Sequence, residues 1–387
     1  MSAELRRRFL LDPDVCYLNH GAFGAAPIRV FETYQRWQRE LERQPTGFLT
    51  RTLEPALAGA RHELARYVGA SADDLTFVPN ATTGINVAAR SLRLEPGDEI
   101  LSCDHEYGAC DLAWRAACEA QGAVYRKVEL PVPLTPDGVV EAITAGFSER
   151  TRALTMSHIT SPTAAILPVE QLCAVASERG ILTVVDGAHA PGQVPVDVRG
   201  LGADIYTGNA HKWLVAPKGA AFLYVHPDHQ RWMGSTIISW GWSECADLLD
   251  HADCSFVHRS SWQGTSDPAA YLSVPAAISF HRTYLEPRRG ACGQLALDAR
   301  ARIAERFGCP PLLAAEMVGQ FVACPIPCDD PAGLHDRLIA EHGIEVPVFA
   351  FGDRVLIRPS FAGYNGPRDL ERLLAALEAE LGQRHAP

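Results

Sequence analysis

The hydrophobic positions between residues 75 and 225 alternate between short apolar runs and longer segments with helical spacing. The apolar runs are rich in β-branched and aromatic residues and lie at 75–78, 99–102, 124–128, 153–157, 181–185, 204–206 and 220–225. Helical patterns such as 82–91 and 169–179 lie between many of them. This alternation predicts an α/β domain with a mostly parallel seven-stranded sheet. Such a sheet binds its ligands at the carboxyl ends of its strands.

The pattern changes after about residue 270. Helical spacing dominates there, with one predicted strand pair, in the segments 268–284, 300–306, 332–341, 346–349 with 355–358, and 368–381. This mixture predicts a smaller α+β domain. We therefore predict an N-terminal segment (1–20), a large domain (21–270) and a small C-terminal domain (271–387).

Composition narrows the possible partners and the compartment. Of the 387 residues, 47% are hydrophobic and 21% are charged, which is typical of a globular protein with a large core. The net charge of −11 argues against nucleic acid or an anionic membrane as the main partner. No apolar run approaches the roughly 20 residues that span a bilayer. The eleven scattered cysteines indicate free thiols, so we expect a cytoplasmic protein without a metal site.

Two ionisable residues follow neighbouring predicted strands. Asp186 ends the buried run 181–185, and Lys212 lies just past the next run, within the apolar stretch 202–225. Each has an ordinary interpretation: Asp186 could cap its own turn, and Lys212 could pack its stem while its amine reaches water. Together they suit pyridoxal phosphate, which requires a lysine for a Schiff base and a carboxylate opposite the pyridine nitrogen. An apolar site lowers the pKa of such a lysine and keeps it nucleophilic.

Three further positions are compatible with the same ligand. The predicted helix that begins near Ala81 and Thr82 offers free N–H groups to a phosphate, although Asn80 and Thr82 are also ordinary helix caps. Tyr107 follows a strand and could lie flat on an aromatic ring, or it could be an ordinary core or surface tyrosine. Arg358 ends a strand of the second domain and could hold a carboxylate or form a surface ion pair.

These residues lie in motifs that resemble the class V aminotransferase family of pyridoxal phosphate enzymes, and most of all its isopenicillin N epimerase-like subgroup. The motifs are LLDPDVCYLNHGAFGAAP, DHEYGA, Ser157–His158, VVDGAHAPG, HKWLVAPKG and IRPSFAGYN, and they span nearly the whole chain. The resemblance implies the aspartate aminotransferase-like fold, fold type I. It also implies a homodimer with shared active sites and an amino-acid substrate.

The resemblance assigns roles around the cofactor ring. Lys212 matches the catalytic Schiff-base lysine, and Asp186 matches the partner of the pyridine nitrogen. His189 matches the residue near the ring hydroxyl, Tyr107 the residue that stacks on the ring, and His158 a residue beside it.

It also assigns roles around the phosphate. Ala81 and Thr82 match the phosphate-binding pair, and Asn209 and His211 match the residues before the lysine that touch the phosphate. Relatives carry serine at the position of Asn209, but an amide can also donate a hydrogen bond. Thr265 matches a threonine that reaches the phosphate from the second subunit.

On the substrate side, Arg358 matches the clamp for the α-carboxylate. Asn19 and His20 are candidates for contact with the substrate, and His20 for the second acid that epimerisation requires. His20 could equally stabilise its own turn.

The expected chemistry is abstraction of the α-proton of an amino acid, followed by epimerisation or by β-elimination as a C–S lyase. Transamination and a catalytically silent cofactor-binding protein are the alternatives. A cysteine desulfurase is disfavoured, because the segment 343–360 before and around the final arginine motif contains no cysteine.

Overall fold

The computed structural model describes residues 2–243 and 255–382. Its strands, numbered β1 to β12 along the chain, are Cys16–Tyr17, Leu75–Val78, Glu99–Cys103, Val124–Val128, Thr151–Ser157, Leu182–Asp186, Ile205–Asn209, Ala221–Val225, Cys324–Ile326, Ile344–Glu345, Val348–Phe351 and Arg354–Ile357. Its α-helices, numbered α1 to α17, are Ser2–Arg6, His20–Phe23, Ile28–Arg43, Pro45–Gly47, Leu53–Tyr67, Ala81–Ser91, Gly108–Gln121, Pro136–Ala145, Val169–Ser177, Pro227–Gln230, Trp240–Ser243, Phe256–Ser261, Ala269–Leu272, Val274–Phe280, Arg289–Phe307, Pro331–Ala340 and Pro367–Leu381.

Seven strands form the central sheet in the order β2-β8-β7-β6-β5-β3-β4. Every neighbouring pair is parallel except the two that involve β8, which runs antiparallel to β2 and to β7. The mostly parallel seven-stranded sheet predicted from the apolar runs is therefore confirmed, with strand ends that shift by at most three residues. Strands β3, β7 and β8 are buried at every position. Such continuous burial is expected of a sheet that is covered on both faces.

A second hydrophobic cluster lies around the C-terminal part of the chain. Strands β9, β11 and β12 form an antiparallel sheet there, and α15, α16 and α17 supply apolar residues to the same cluster. The N-terminal segment joins it, because Cys16 of β1 pairs with Ile344 of β10. This is the smaller α+β unit that the sequence predicts.

The division between the two units is less sharp than the predicted boundary at residue 270. Helices α13 and α14 pack on α3 and α5. The main cluster continues through Val274, Phe280 and Leu312. The residue limits of the two domains stay a prediction, and residues 383–387 lie outside the described residues. No helix in the described part of the chain is long and apolar enough to cross a membrane.

Candidate active site

A cavity of about 540 Å³ opens at the carboxyl edge of the central sheet. Nine of the predicted site residues line it, namely Ala81, Thr82, Tyr107, Asp186, His189, Asn209, His211, Lys212 and Arg358. They come together because β6 and β7 end side by side, and because α6 begins at the same edge. Convergence of polar groups on one cavity at this edge is the arrangement expected of a ligand site in an α/β fold.

Asp186 is the last residue of β6 and lies in register with Ser157 of β5. Its carboxylate is buried and accepts hydrogen bonds from the amide of Ala188 (2.9 Å) and the thiol of Cys110 (3.2 Å). Burial raises the pKa of Asp186, and these two hydrogen bonds oppose the shift. The bond from Ala188 is the turn-capping bond of the ordinary interpretation, so Asp186 caps its turn and also faces the cavity.

Lys212 follows β7 and brings its amine to the same place. Its Nζ lies 3.1 Å from Nε2 of His189. Burial lowers the pKa of Lys212 to about 8, with Asp186 opposing and the charge of Arg358 adding to the shift. A larger fraction of the amine is therefore neutral, and nucleophilic, at physiological pH than in an exposed lysine.

His189 is the buried residue whose ring contacts the amine of Lys212. Burial, followed by the charge of Lys212, lowers the pKa of His189 well below its ordinary value, so the ring is neutral. The imidazole stacks on Phe321, with ring centroids 5.1 Å apart. Its Nδ1 is buried without a hydrogen-bond partner among the described residues, so a polar group of a ligand could satisfy it.

Two glycines fix the loop that carries Lys212. Gly24 and Gly192 both have left-handed backbones, with φ of +68° and +91°. A Cβ on Gly24 would lie 2.1 Å from the carbonyl oxygen of His211, and one on Gly192 would lie 2.4 Å from the carbonyl carbon of Trp213. The loop is thus held by backbone contact on two sides. Both glycines lie in sequence motifs, NHGAFG and HAPG, but the backbone contacts that require them become visible only in the fold.

The N-terminus of α6 faces the cavity with several hydrogen-bond donors. Asn80 caps the helix by accepting from the amide of Thr83. The amide of Ala81 donates to Oδ1 of Asn209 (2.8 Å), which leaves Nδ2 of Asn209 as a donor. Nδ1 of His211 lies 3.1 Å from the carbonyl oxygen of Ala220 and so carries the ring proton, and burial lowers the pKa of His211 to about 4. The helix N-terminus together with Nδ2 of Asn209 suits an anion, whereas Nε2 of the neutral His211 can only accept a hydrogen bond.

Arg358 is a buried cation without an acidic partner among the described residues. Its Nη1 donates to the backbone and side-chain oxygens of Ser161. The Cζ atom of its guanidinium lies 5.5 and 5.6 Å from the centroids of the rings of Phe321 and Phe349. Burial lowers its pKa to about 10, so it stays charged at neutral pH. A buried guanidinium of this kind is suited to bind a carboxylate from a ligand.

Four predicted site residues do not line the cavity. His158 is buried behind Asp186, where its Nδ1 lies 3.0 Å from the hydroxyl of Tyr206. Thr265 is exposed in the loop before α13.

The other two residues are Asn19 and His20, which we expected to face the substrate. Neither lines the cavity, so that expectation is corrected. His20 is buried, hydrogen-bonded to the hydroxyl of Tyr364 (2.9 Å) and packed on Trp213. Asn19 donates to Glu345 (3.0 Å). The residues of this motif that line the cavity are instead Gly21, Ala22 and Phe23.

One buried acid near the site was not assigned from the sequence, although it lies in DHEYGA. Glu106 accepts hydrogen bonds from the amide and the hydroxyl of Ser157, both at 2.7 Å. Burial raises its pKa to about 7. Because Ser157 lies beside Asp186 in the sheet, Glu106 places a second carboxyl group behind the first.

The residues fit pyridoxal 5'-phosphate. A lysine with a lowered pKa and a buried carboxylate face the same cavity, as the aldehyde and the ring nitrogen require. The helix N-terminus offers donors to the phosphate. Nδ1 of His189, which has no hydrogen-bond partner among the described residues, is available to a polar group of the cofactor.

Comparison with known proteins places this site in a family. Residues 17–373 match the model of the family described as aminotransferase class-V. The chain is 37% identical to isopenicillin N epimerase of Amycolatopsis lactamdurans, over 97% of this chain and 98% of that protein. It is 29% identical to a probable chloroplastic L-cysteine desulfhydrase of Arabidopsis thaliana, over 97% of this chain and 85% of that protein.

Solved structures share the fold. An apo cysteine desulfurase of Thermococcus onnurineus NA1 superposes with a TM-score of 0.82 at 18% identity, over 98% of each chain. A mutant of C-DES with glycine covalently linked to its pyridoxal phosphate cofactor superposes with a TM-score of 0.85 at 22% identity, over 96% of this chain and 98% of that one. The fold is that of fold type I, as the sequence motifs predict. The chain is an enzyme of the class V aminotransferase family, and its cofactor is pyridoxal phosphate.

Proposed function

We propose that this enzyme removes the α-proton of an amino-acid substrate, as an isopenicillin N epimerase-like enzyme that epimerises the substrate or eliminates a β-substituent such as a thiol. One observation carries the proposal. The buried amine of Lys212, with a pKa of about 8, shares a cavity with the guanidinium of Arg358, which has no acidic partner among the described residues. A base and a carboxylate clamp in one cavity are the two groups that α-proton abstraction requires.

Each residue then has a defined task. Arg358 binds the α-carboxylate and orients the Cα–H bond toward Lys212. Lys212 accepts the proton, and His189, 3.1 Å from Nζ, positions the amine. Asp186 holds a proton on the ring nitrogen. When bound, pyridoxal phosphate supplies an electron sink for the pair left on Cα.

Two outcomes follow from the same first step. Return of a proton to the opposite face of Cα gives the epimer. In elimination the pair on Cα forms a Cα–Cβ double bond, and the β-substituent leaves with the electrons of its bond to Cβ. The epimerases among the relatives are 35–37% identical to this chain, and the L-cysteine desulfhydrases are 29–31% identical. Both outcomes are therefore retained, with transamination as a further alternative.

A persulfide-forming desulfurase mechanism is not proposed. No cysteine lies among the described residues that line the cavity. The thiol near the site, Cys110, donates to Asp186, and burial together with that negative charge raises its pKa far above the ordinary value. Such a thiol is a poor nucleophile.

We also propose a homodimer with shared active sites, in which Thr265 of one subunit reaches the cofactor phosphate of the other. Thr265 is exposed and does not line the cavity of its own subunit. Sedimentation of the holoenzyme tests the dimer. Mixing Thr265→Ala with Lys212→Ala chains tests the sharing, since a hybrid dimer would regain one intact site.

Incubation with amino acids in deuterated water tests the activity. Incorporation of deuterium at Cα with loss of optical purity would indicate an epimerase, and release of a keto acid, ammonia and a thiol would indicate a C–S lyase. Incorporation with none of the tested amino acids would refute the proposal.

A further inference from the structure

A second recess adjoins the cofactor cavity on the side of Arg358. It has a volume of about 310 Å³ and shares Tyr107, Ser161 and Arg358 with the lining of the first cavity. Its remaining walls come from Glu106, Gly108, Pro162, Phe349 and Phe351. We propose that this recess binds the side chain of the substrate, and that the substrate is an α-amino acid with a bulky apolar or aromatic side chain. The inference rests on the proposed function.

The position of the recess follows from the clamp. If Arg358 holds the α-carboxylate, Cα lies about 1.5 Å from the carboxyl carbon. The substrate side chain therefore starts beside the guanidinium, which borders both cavities. The first cavity receives the cofactor, so the recess is the space left for the side chain.

The shape of the recess comes from a short strand. Phe349 and Phe351 are two residues apart on β11, so both rings lie on the same face of the strand. Phe349 packs on Arg358, and Phe351 meets the ring of His105 edge to face, with centroids 5.0 Å apart. Tyr107, which lines both cavities, completes an aromatic wall.

The chemistry of the walls favours an apolar occupant. The carboxylate oxygens of Glu106 already accept two hydrogen bonds from Ser157, and Arg358 is engaged by the α-carboxylate in the proposed complex. The remaining surface is mostly aromatic rings and proline. Such walls gain most from burying carbon and suit an aromatic or branched aliphatic group, including the S-substituent of a cysteine thioether. The single sulfur of cysteine would leave most of the recess empty.

Gly108 provides a way to fill the recess without disturbing the fold. It is the first residue of α7, it is exposed, and a Cβ there would meet no atom within 4 Å. Gly290, near the start of α15, is also exposed and equally open, and it lies outside both cavities. Gly108→Leu and Gly290→Leu are therefore a matched pair.

The test uses holoenzyme and two substrate analogues that lack an α-proton, α-methylphenylalanine and 2-methylalanine. Calorimetry should give a Kd for α-methylphenylalanine that is lower than that for 2-methylalanine by about tenfold or more, because the recess buries the ring. The ratio of the Kd of 2-methylalanine to that of α-methylphenylalanine measures this preference. Gly108→Leu and Phe351→Ala should each reduce the ratio by about threefold or more, while Gly290→Leu leaves it unchanged. Equal Kd values for the two analogues, or a ratio that neither recess variant alters, would overturn the proposal.

Deuterium exchange separates this proposal from the proposed function. Exchange that is faster for L-phenylalanine than for L-alanine supports both. Exchange at equal rates refutes the recess and leaves the function standing. No exchange with any amino acid refutes the function, and the recess with it.

Discussion

The floor of the active site (Ser157, Asp186, His189 and Lys212) differs sharply from its mouth (Phe23, Tyr107, Phe349 and Phe351). Asp186 and His189 are 4% and 3% exposed, whereas Phe23 and Tyr107 are 68% and 47% exposed. Burial changes the pKa of Asp186, His189 and Lys212. The floor is therefore built for proton chemistry, and the mouth offers apolar surface for recognition.

The two regions also differ in where their residues come from. The floor residues lie on or just after β5, β6 and β7, which pair side by side. The mouth residues come from α2, the residue before α7 and the short strand β11. Groups on one rigid sheet keep their mutual distances, while separate peripheral elements can vary with the substrate.

The largest expected effect on activity comes from replacing a residue of the floor. Lys212→Ala should remove the visible absorption of bound cofactor and lower α-proton exchange by about 10²–10⁴-fold, because the base is lost. Lys218→Ala is the control. Lys218 is an exposed residue six positions later, and its amine donates to the carbonyl oxygen of Gly24 (2.9 Å), so the visible band should persist. A band retained in Lys212→Ala would place the covalent bond elsewhere.

Arg358 lies between floor and mouth. Arg358→Gln should lower kcat/KM for amino acids by roughly 10²-fold or more, because a substrate carboxylate loses a buried cation. The cofactor spectrum should remain that of the parent enzyme. Arg354→Gln, at an exposed position of β12 beside Asp353, is the control and should change kcat/KM by less than twofold. Similar kinetics for both variants would remove Arg358 from the clamp.

Tight packing beneath the floor predicts a loss of stability. Gly24→Ala should lower the free energy of unfolding by about 1–3 kcal/mol more than Gly97→Ala. Both glycines have positive φ, but a Cβ on Gly97 meets no atom within 4 Å. Urea unfolding measures the difference, and cofactor retention reports on the Lys212 loop. Equal destabilisation by the two variants would show that the close approach of Gly24 to His211 does not affect the free energy of unfolding.

The last predicted effect depends on pH, vanishes in acid and concerns Glu106, the acid behind the floor. Burial raises the pKa of Glu106 from 4.5 to about 7, so the unfolded chain loses this proton at lower pH than the folded protein. Parent stability should therefore fall as pH rises from about 4.5 to 7. Glu106→Gln, which keeps an acceptor for Ser157, should be more stable than the parent at pH 8 by up to about 3 kcal/mol and show no gain at pH 4.

Melting temperatures at the two pH values measure this effect. Glu141→Gln, at an exposed position of α8, is the control and should show no pH-dependent gain. A gain for Glu106→Gln that is as large at pH 4 as at pH 8 would contradict the assigned protonation.

The sequence predicted the floor better than the mouth. Asp186 and Lys212 follow buried apolar runs, and strands that pair in parallel bring their carboxyl ends together, so local pattern sufficed. The contacts of Arg358 with the rings of Phe321 and Phe349 join positions that only tertiary packing brings together. His20 shows the same limit, because its partner Tyr364 is 344 residues away and draws the ring into the core.

The central claim is that Lys212 forms the covalent bond with the cofactor while Asp186 faces its ring nitrogen. Reduction of the holoenzyme with borohydride, followed by proteolysis and peptide mass spectrometry, identifies the lysine that carries the covalent bond. We expect a single pyridoxyl-phosphate adduct on Lys212. An adduct on Lys218 or another lysine, or no adduct on a protein that contains cofactor, would contradict it.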